Sequence, residues 1–207
     1  MPRALAALRA LVGLALDPKR LDLVFALTEA LNGDCFARVA RDLAGDAGGR
    51  RILDERPSID SQRVDFDALA ALPDGTLGRE YVRFLRDHAI TPDIFRPPGG
   101  FAEAAAYVTL RIRQTHDIWH VLTGYAPDVH GEILLSAFNY AQLRAPSSLA
   151  IAVLGTLRFG SSRPGFAGQV RRAFARGRAT RPLAAFYWED HWDEPLASLR
   201  ARLACPS

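Results

Sequence analysis

Apolar residues recur at helical spacing along nearly the whole chain. No segment of five or more residues alternates apolar and polar positions in the manner of a half-buried strand. The stretch 76–90 is typical, and one face of the helix that it predicts carries Leu77, Tyr81, Phe84, Leu85 and His88. The pattern therefore predicts an all-α fold, a single-domain bundle of roughly 8–10 helices over residues 1–207.

Caps and helix breakers set the expected boundaries. Asp17 followed by Pro18 is typical of an N-cap and a first helical position. The pair Gly48-Gly49 and Pro57 interrupt a less regular stretch, with one helical turn expected at 51–55. The longer helices after the first are expected at residues 17–31, 33–44, 65–72, 76–90, 101–123, 129–144, 147–159, 165–178 and 183–203.

The first 16 residues have basic and no acidic side chains, as many targeting peptides do. However, Arg9 divides the apolar run, and four residues fall on one helical face: Leu5, Leu8, Val12 and Leu16. We therefore expect a structural helix here. The longest charge-free stretch, residues 145–157, has 13 residues, fewer than the roughly 20 that a membrane span needs. The sequence accordingly predicts no transmembrane helix.

Composition places the chain among ordinary globular proteins. Apolar residues make up 49% and charged residues 24%, which excludes disorder for most of the length. Cys35 and Cys205 lie 170 positions apart and do not form a disulfide framework, so a reducing compartment is expected.

The formal net charge is +3, from 25 arginines and one lysine against 23 acids. No acid occurs between Arg158 and Trp188. That segment carries seven arginines, Arg158, Arg163, Arg171, Arg172, Arg176, Arg178 and Arg181. The arginines could face anionic lipid or form a solvated surface partly balanced by the acids of residues 189–194. We expect no nucleic acid partner, because the segment has few aromatic residues for base stacking.

The candidate chemistry lies in the sequence His-Asp-Ile-Trp-His at residues 116–120. Because each residue of an α-helix turns by about 100°, His116, His120 and Asp117 lie at roughly 0°, 40° and 100° around the axis. Two imidazoles four residues apart can share one ion. A short proline-containing turn would send the next helix back antiparallel and bring Glu132 to the same ion. The sequence thus predicts a metal site between two adjacent antiparallel helices.

Charge balance favours the metal. Asp117, Glu132 and a divalent cation sum to zero with neutral histidines, whereas two carboxylates alone at an apolar helix interface cost free energy. Nitrogen and oxygen ligands suit zinc, iron or manganese. The alternatives are a surface histidine pair bonded to nearby acids, and the peptidase motif H-E-x-x-H with Asp117 in the glutamate position. The shorter aspartate would hold a catalytic water less well, which disfavours peptidase chemistry.

The motif region resembles the coenzyme Q (ubiquinone) biosynthesis protein 4 family, whose signature is H-D-x-x-H, eleven residues and then E. Here eleven residues separate His120 from Glu132. The resemblance covers nearly the whole chain, through Tyr107-Val108, Arg111, Arg113, residues 115–124, Gly131-Glu132, residues 49–53, residues 69–78, Tyr187-Trp188-Glu189 and Leu199-Arg200. The chain departs from the family at residues 144–147, where a Gly-Leu-Pro-Met type turn is usual, and it matches only loosely at residues 163–181.

The resemblance implies an all-helical protein of ubiquinone synthesis whose metal is held by His116, Asp117, His120 and Glu132, which are also the expected catalytic residues. The implied activity removes the ring carboxylate of a polyprenyl hydroxybenzoate, with hydroxylation at ring carbon 1. Zinc is the expected ion, with iron as the alternative if the step is oxidative. Arg113 lies within one turn of His116, and it either meets the substrate carboxylate or is an ordinary arginine on the helix surface. The competing hypothesis is a non-catalytic lipid-binding scaffold with a structural metal.

The resemblance further implies a polyprenylated quinone precursor, other ubiquinone biosynthesis enzymes and a membrane surface as partners, and it allows a homodimer. The scarcity of lysine is typical of GC-rich bacterial genomes, and no organelle presequence is evident. From these observations we expect a cytoplasmic protein, peripheral on the cytoplasmic face of a bacterial inner membrane.

Overall fold

The computed structural model of the chain describes residues 3–17 and 20–205, and the fold is all-α as predicted. Within those ranges the one extended pairing is an isolated bridge between Thr76 and Pro195. Pro18, the expected first position of the second helix, lies outside the described residues. The α-helices are α1 (Arg3–Leu16), α2 (Leu21–Leu31), α3 (Gly33–Gly45), α4 (Ala47–Glu55), α5 (Phe66–Ala70), α6 (Leu77–Asp87), α7 (Glu103–Thr123), α8 (Val129–Leu143), α9 (Pro146–Phe159), α10 (Phe166–Ala179) and α11 (Leu196–Arg202).

The described residues form eleven α-helices, more than the roughly 8–10 expected, partly because the turn expected at 51–55 is a full helix. The side chain of Asp46 caps α4 by accepting a hydrogen bond from the Gly49 N–H at 2.9 Å. A Cβ on Gly49 would lie 2.4 Å from the carbonyl oxygen of Leu43. The glycines that the sequence marks as breakers therefore allow α4 to start close behind α3.

The prediction of a single helix at 183–203 is wrong. Two 3₁₀ turns, Leu183–Ala185 and Trp188–His191, precede the shorter α11. Pro195 lacks an N–H group and disfavours helical geometry in the residue before it, so a continuous helix cannot pass through this point.

Contacts between backbone segments group the described residues into two compact units, Met1–Arg38 with Ala126–Arg178, and Val39–Tyr125 with Ala179–Ser207. Helix α3 begins in the first unit and ends in the second. The assignment of one domain to residues 1–207 stays a prediction.

In the first unit, α1, α2 and α9 enclose a small apolar core. Leu27 of α2 is fully buried against Ala7 and Ala10 of α1, and Ile151 of α9 packs on the same cluster. The apolar face of α1 recognised in the sequence does not join this core. Its four residues Leu5, Leu8, Val12 and Leu16 are 41%, 57%, 53% and 83% exposed.

Helix α9 also exposes apolar residues, Leu149, Val153, Leu154 and Leu157. These four residues, together with the four on α1, are called the exposed apolar stripes below. No helix within the described ranges combines the length and apolar character needed to span a membrane.

In the second unit, residues 192–200 hold the start of α6 and the end of α7. The N–H groups of Leu77 and Gly78, in the first turn of α6, donate to the carbonyl oxygens of Glu194 (2.9 Å) and Trp192 (2.8 Å). The Arg200 side chain donates to the last-turn carbonyl oxygens of α7 at 2.9 and 3.0 Å. These bonds satisfy backbone groups that helix ends leave without intrahelical partners, so α6 and α7 are fixed to the same segment.

Candidate metal centre

Helix α7 is buried on most of its surface although it is rich in polar side chains. Of its 21 residues, 13 are buried. The buried polar ones are Thr109, Arg111, Gln114, Thr115, Asp117, His120 and Thr123. The hydroxyl groups of the three threonines donate hydrogen bonds to the carbonyl oxygens four residues earlier. Arg111, Asp117 and His120 are also buried on this helix, although charged and imidazole side chains are seldom buried.

The structure brings three of the predicted site residues, His116, Asp117 and His120, close together. The Nε2 atoms of the two histidines are 3.2 Å apart, and their ring centroids are 4.8 Å apart. The ligand atoms of all three residues lie within 4.8 Å of one another. Among the residues that the structure describes, this is the one group of at least three His, Cys, Asp or Glu residues placed to hold an ion.

A backbone carbonyl determines which nitrogen of His120 carries the proton. Gly124 ends α7 with φ +74°, a left-handed conformation that favours glycine, and the chain turns there. The carbonyl oxygen of Tyr125 then lies 2.8 Å from Nδ1 of His120. A carbonyl oxygen only accepts, so Nδ1 carries the proton and donates. The lone pair of the neutral ring is therefore on Nε2, the atom that faces His116.

The donor pair fits a shared divalent ion. Zinc–imidazole bonds of about 2.05 Å at a tetrahedral angle place two nitrogens about 3.3 Å apart, and octahedral ligands with slightly longer bonds come about 3.0 Å apart. The observed 3.2 Å between the Nε2 atoms lies between these values. Two nitrogens with a buried carboxylate suit zinc and iron alike. The geometry thus supports a metal and leaves its identity open.

One side chain of α6 packs on the ring of His120. The ring of Phe84 stacks on that of His120, with centroids 5.5 Å apart and planes inclined by 20°. Such contacts fix the ring orientation of a ligand histidine. The periodicity of residues 76–90 places Phe84 on the helix face but carries no signal that this face meets the motif.

A buried ion pair lies two turns before Asp117 on α7. Arg111 donates to both carboxylate oxygens of Glu189, at 2.6 and 2.7 Å, and its side chain is only 4% exposed. The bidentate geometry ties α7 to the 3₁₀ turn Trp188–His191. Glu189 is one of the acids expected to balance the arginine-rich segment, and the structure shows it pairing with Arg111.

Glu132, the predicted fourth ligand, lies in the first turn of α8 and is half-buried. Its position is set locally. Asp128 caps α8 by accepting from the Gly131 N–H at 2.7 Å, and a Cβ on Gly131 would come within 1.9 Å of the Ala126 carbonyl oxygen. Glu132 belongs to the first compact unit and the histidine motif to the second. Its role as a ligand, and a metal site between two helices, stay predictions.

Arg113, the predicted substrate contact, is half-buried on α7, and its Nη1 donates to the carbonyl oxygen of Arg96 at 3.2 Å. Its role at a substrate also stays a prediction. His191, which has no histidine near it in sequence, stacks on Phe186 at 4.7 Å and has its Nδ1 3.0 Å from a carboxylate oxygen of Glu194. The contacts with Phe186 and Glu194 therefore give His191 a structural role.

The fold and the site define an all-helical protein with a candidate metal centre on a buried helix. The family described as coenzyme Q (ubiquinone) biosynthesis protein Coq4 matches residues 1–206. The chain belongs to this family, and the resemblance seen in the sequence is confirmed. Its coarse role, a ubiquinone biosynthesis protein, follows from that membership.

Individual proteins show the same similarity to ubiquinone biosynthesis proteins. The mitochondrial ubiquinone biosynthesis protein COQ4 homologue of Xenopus tropicalis is 37% identical over 190 residues, 90% of this chain and 68% of that protein. The mitochondrial COQ4 of Coprinopsis cinerea is 33% identical over 187 residues, 89% of this chain and 64% of that protein. A crystal structure from Nostoc punctiforme, of a protein provisionally assigned to ubiquinone biosynthesis, superposes with a TM-score of 0.78 at 27% identity, covering 100% of this chain and 98% of that one.

The predicted location on a bacterial inner membrane is wrong, because the curated relatives are mitochondrial proteins of animals and fungi. The prediction relied on a lysine-poor composition, which reflects base composition of a genome rather than a compartment. It also relied on the apparent lack of a presequence, but this chain spans only about two thirds of these relatives.

We expect the purified protein to bind one Co²⁺ with a visible d–d absorption, and His116→Ala to weaken that binding by more than about 100-fold, because it removes one of the facing nitrogens. Titration of metal-free protein with cobalt measures both affinities. His191→Ala, a matched loss of an imidazole from a structural setting, should bind like the wild type. Equal cobalt binding by all three proteins would contradict the assignment.

Proposed function

We propose that this protein catalyses removal of the ring carboxylate of a polyprenyl hydroxybenzoate, with hydroxylation at ring carbon 1, and that a divalent ion is required. Two observations support the proposal: membership of the Coq4 family, and facing imidazole nitrogens 3.2 Å apart beside a buried aspartate. The nitrogen pair carries the argument, because a cation between the half-buried His116 and the buried His120 would bind both Nε2 atoms.

In this proposal His116, Asp117, His120 and Glu132 hold the ion and are the catalytic residues. Zinc is the first candidate and iron the second. When bound, the ion supplies a Lewis acid for the carboxylate or phenolate oxygen of the substrate. Replacing the carboxylate by a hydroxyl group releases carbon dioxide and removes two electrons from the substrate. Dioxygen as the oxidant would then be reduced to hydrogen peroxide, with water supplying the hydroxyl oxygen. Zinc cannot change its oxidation state, and a step that needs redox chemistry at the ion would require iron.

The side chains around the motif have definable tasks in this proposal. Arg113, one turn before His116, presents a guanidinium group whose planar donors suit a carboxylate. Phe84 covers one face of the His120 imidazole, and the Tyr125 carbonyl holds its Nδ1 proton. Together they would keep water away from the ligand ring and fix its Nε2 lone pair in one direction.

The second candidate function is a scaffold that binds lipid and organises other ubiquinone biosynthesis enzymes, with a structural metal. The exposed apolar stripes favour it, since monomeric proteins rarely expose contiguous apolar surface without a partner. The same stripes are compatible with an enzyme whose substrate carries an isoprenoid tail. The two functions differ in whether loss of the metal removes the decarboxylation step itself.

That difference can be measured in cells that lack their own Coq4 and depend on this protein for quinone. We expect His116→Ala to reduce ubiquinone by more than about tenfold and to let a carboxylated prenyl precursor accumulate, because the substrate oxygen loses its Lewis acid. Quinone and precursor are quantified by mass spectrometry. His191→Ala should restore quinone like the wild type. A His116→Ala protein shown to be metal-free that still supports normal quinone levels would favour the scaffold.

We further propose that the exposed apolar stripes place the protein on a lipid surface as a peripheral protein. Each exposed leucine that enters the acyl region gains part of the roughly 1.5–3 kcal/mol of full burial. Three exposed arginines of α10, Arg171, Arg172 and Arg178, would add about 1 kcal/mol each near anionic headgroups. Protein partners and a second copy of the chain are the competing occupants of these stripes.

Cosedimentation with vesicles containing anionic lipid tests the stripes. We expect the double variant Leu8→Glu/Leu157→Glu to bind at least about tenfold more weakly than the wild type, because two apolar contacts are replaced by charges. Both leucines are largely exposed, so folding should be preserved. Gln62→Glu, an exposed position in the other unit, controls for added negative charge. Unchanged vesicle binding by the double variant would contradict a lipid-facing role.

A further inference from the structure

Tyr81 places a hydroxyl group without a protein partner in the core of the second unit. The residue has 0% exposure, and its ring stacks on Trp192 at 5.8 Å with planes inclined by 10°. Its Oη is inaccessible to solvent and has no hydrogen-bond partner among the described residues. A buried hydroxyl in this state costs free energy that a phenylalanine would avoid. The oxygen therefore indicates a partner that joins the site when it is complete.

The surroundings of Tyr81 indicate which group that partner serves. Phe84, one turn further along α6, stacks on His120, and His120 lies one turn beyond Asp117 on α7. This stretch of α6 therefore faces the metal motif. Burial, and after it the negative charge of Asp117, raises the pKa of the Tyr81 phenol well above its usual range, while the paired charges of Arg111 and Glu189 act in opposite directions. The phenol thus stays protonated and can act only as a donor towards a carboxylate.

A carboxylate that binds an ion through one oxygen normally has its other oxygen held by a hydrogen bond. Asp117 is 6% exposed, so bulk solvent does not reach it freely. A buried water is stable where it finds two or more polar partners, and the Tyr81 hydroxyl and the Asp117 carboxylate offer two.

We propose that, in the metal-loaded protein, the Tyr81 hydroxyl donates through one buried water to the Asp117 carboxylate and so positions this ligand. The inference rests on the proposed metal site and adds a residue outside the H-D-x-x-H motif. Tyr81 is a positioning residue, because it acts on the ion only through Asp117.

Tyr81→Phe removes the oxygen and keeps the ring on Trp192. We expect about tenfold weaker Co²⁺ binding and a shifted d–d band, because the carboxylate loses its orientation, with no loss of thermal stability in the metal-free protein. The matched control is Tyr107→Phe on α7, whose hydroxyl donates to the Pro57 carbonyl oxygen at 3.1 Å. That variant should behave in the opposite way, with lower thermal stability and unchanged cobalt affinity.

The outcomes separate the two proposals. A wild-type protein that binds no cobalt overturns both the metal site and the role of Tyr81. Wild-type binding with an equally tight Tyr81→Phe variant and an unshifted band overturns the role of Tyr81 alone. A Tyr81→Phe variant that melts at a lower temperature, with the wild-type spectrum once loaded, shows a purely structural hydroxyl and also overturns it.

Discussion

The central physical constraint in this protein is the approach of two imidazole nitrogens on a buried helix. The Nε2 atoms of His116 and His120 face each other at 3.2 Å, and the Tyr125 carbonyl keeps the proton of His120 on Nδ1. A cation between these nitrogens would bind both of them, whereas without it the contact needs a proton on Nε2 of His116 that is donated to His120. Asp117, the residue after His116, is buried and would supply negative charge for that cation. The proposed chemistry depends on this group, and the surrounding packing serves to hold it.

In the second unit, hydrogen bonds and an ion pair link the helices around this group to one another. Residues 192–200 bond to the first turn of α6 and the last turn of α7, and Arg111 ties α7 to Glu189. Helix α6 in turn places Phe84 on the ring of His120. Ligands held in this way lose little conformational entropy when an ion binds, which favours tight and specific coordination.

Local sequence rules predict local features well and long-range ones poorly. The i, i+4 spacing of His116 and His120 is a property of one helix, so it appears in the chain directly. Phe84 reaches the motif from another helix, and nothing in residues 76–90 says which neighbour it meets. For a similar reason the sequence does not reveal that the apolar face of α1 is exposed, because periodicity identifies an apolar face but not its partner. The Gly48-Gly49 pair shows that close contact between neighbouring helices also decides where a helix starts, whereas Pro195 is a local signal that the prediction of one helix at 183–203 overlooked.

The most direct test of the central claim is a crystal structure of the zinc-loaded protein with anomalous data collected at the zinc edge. The account predicts one strong anomalous peak about 2.0–2.2 Å from both Nε2 atoms, those of His116 and His120. A fully loaded crystal whose peak lies elsewhere, with the two imidazoles turned apart, would contradict it.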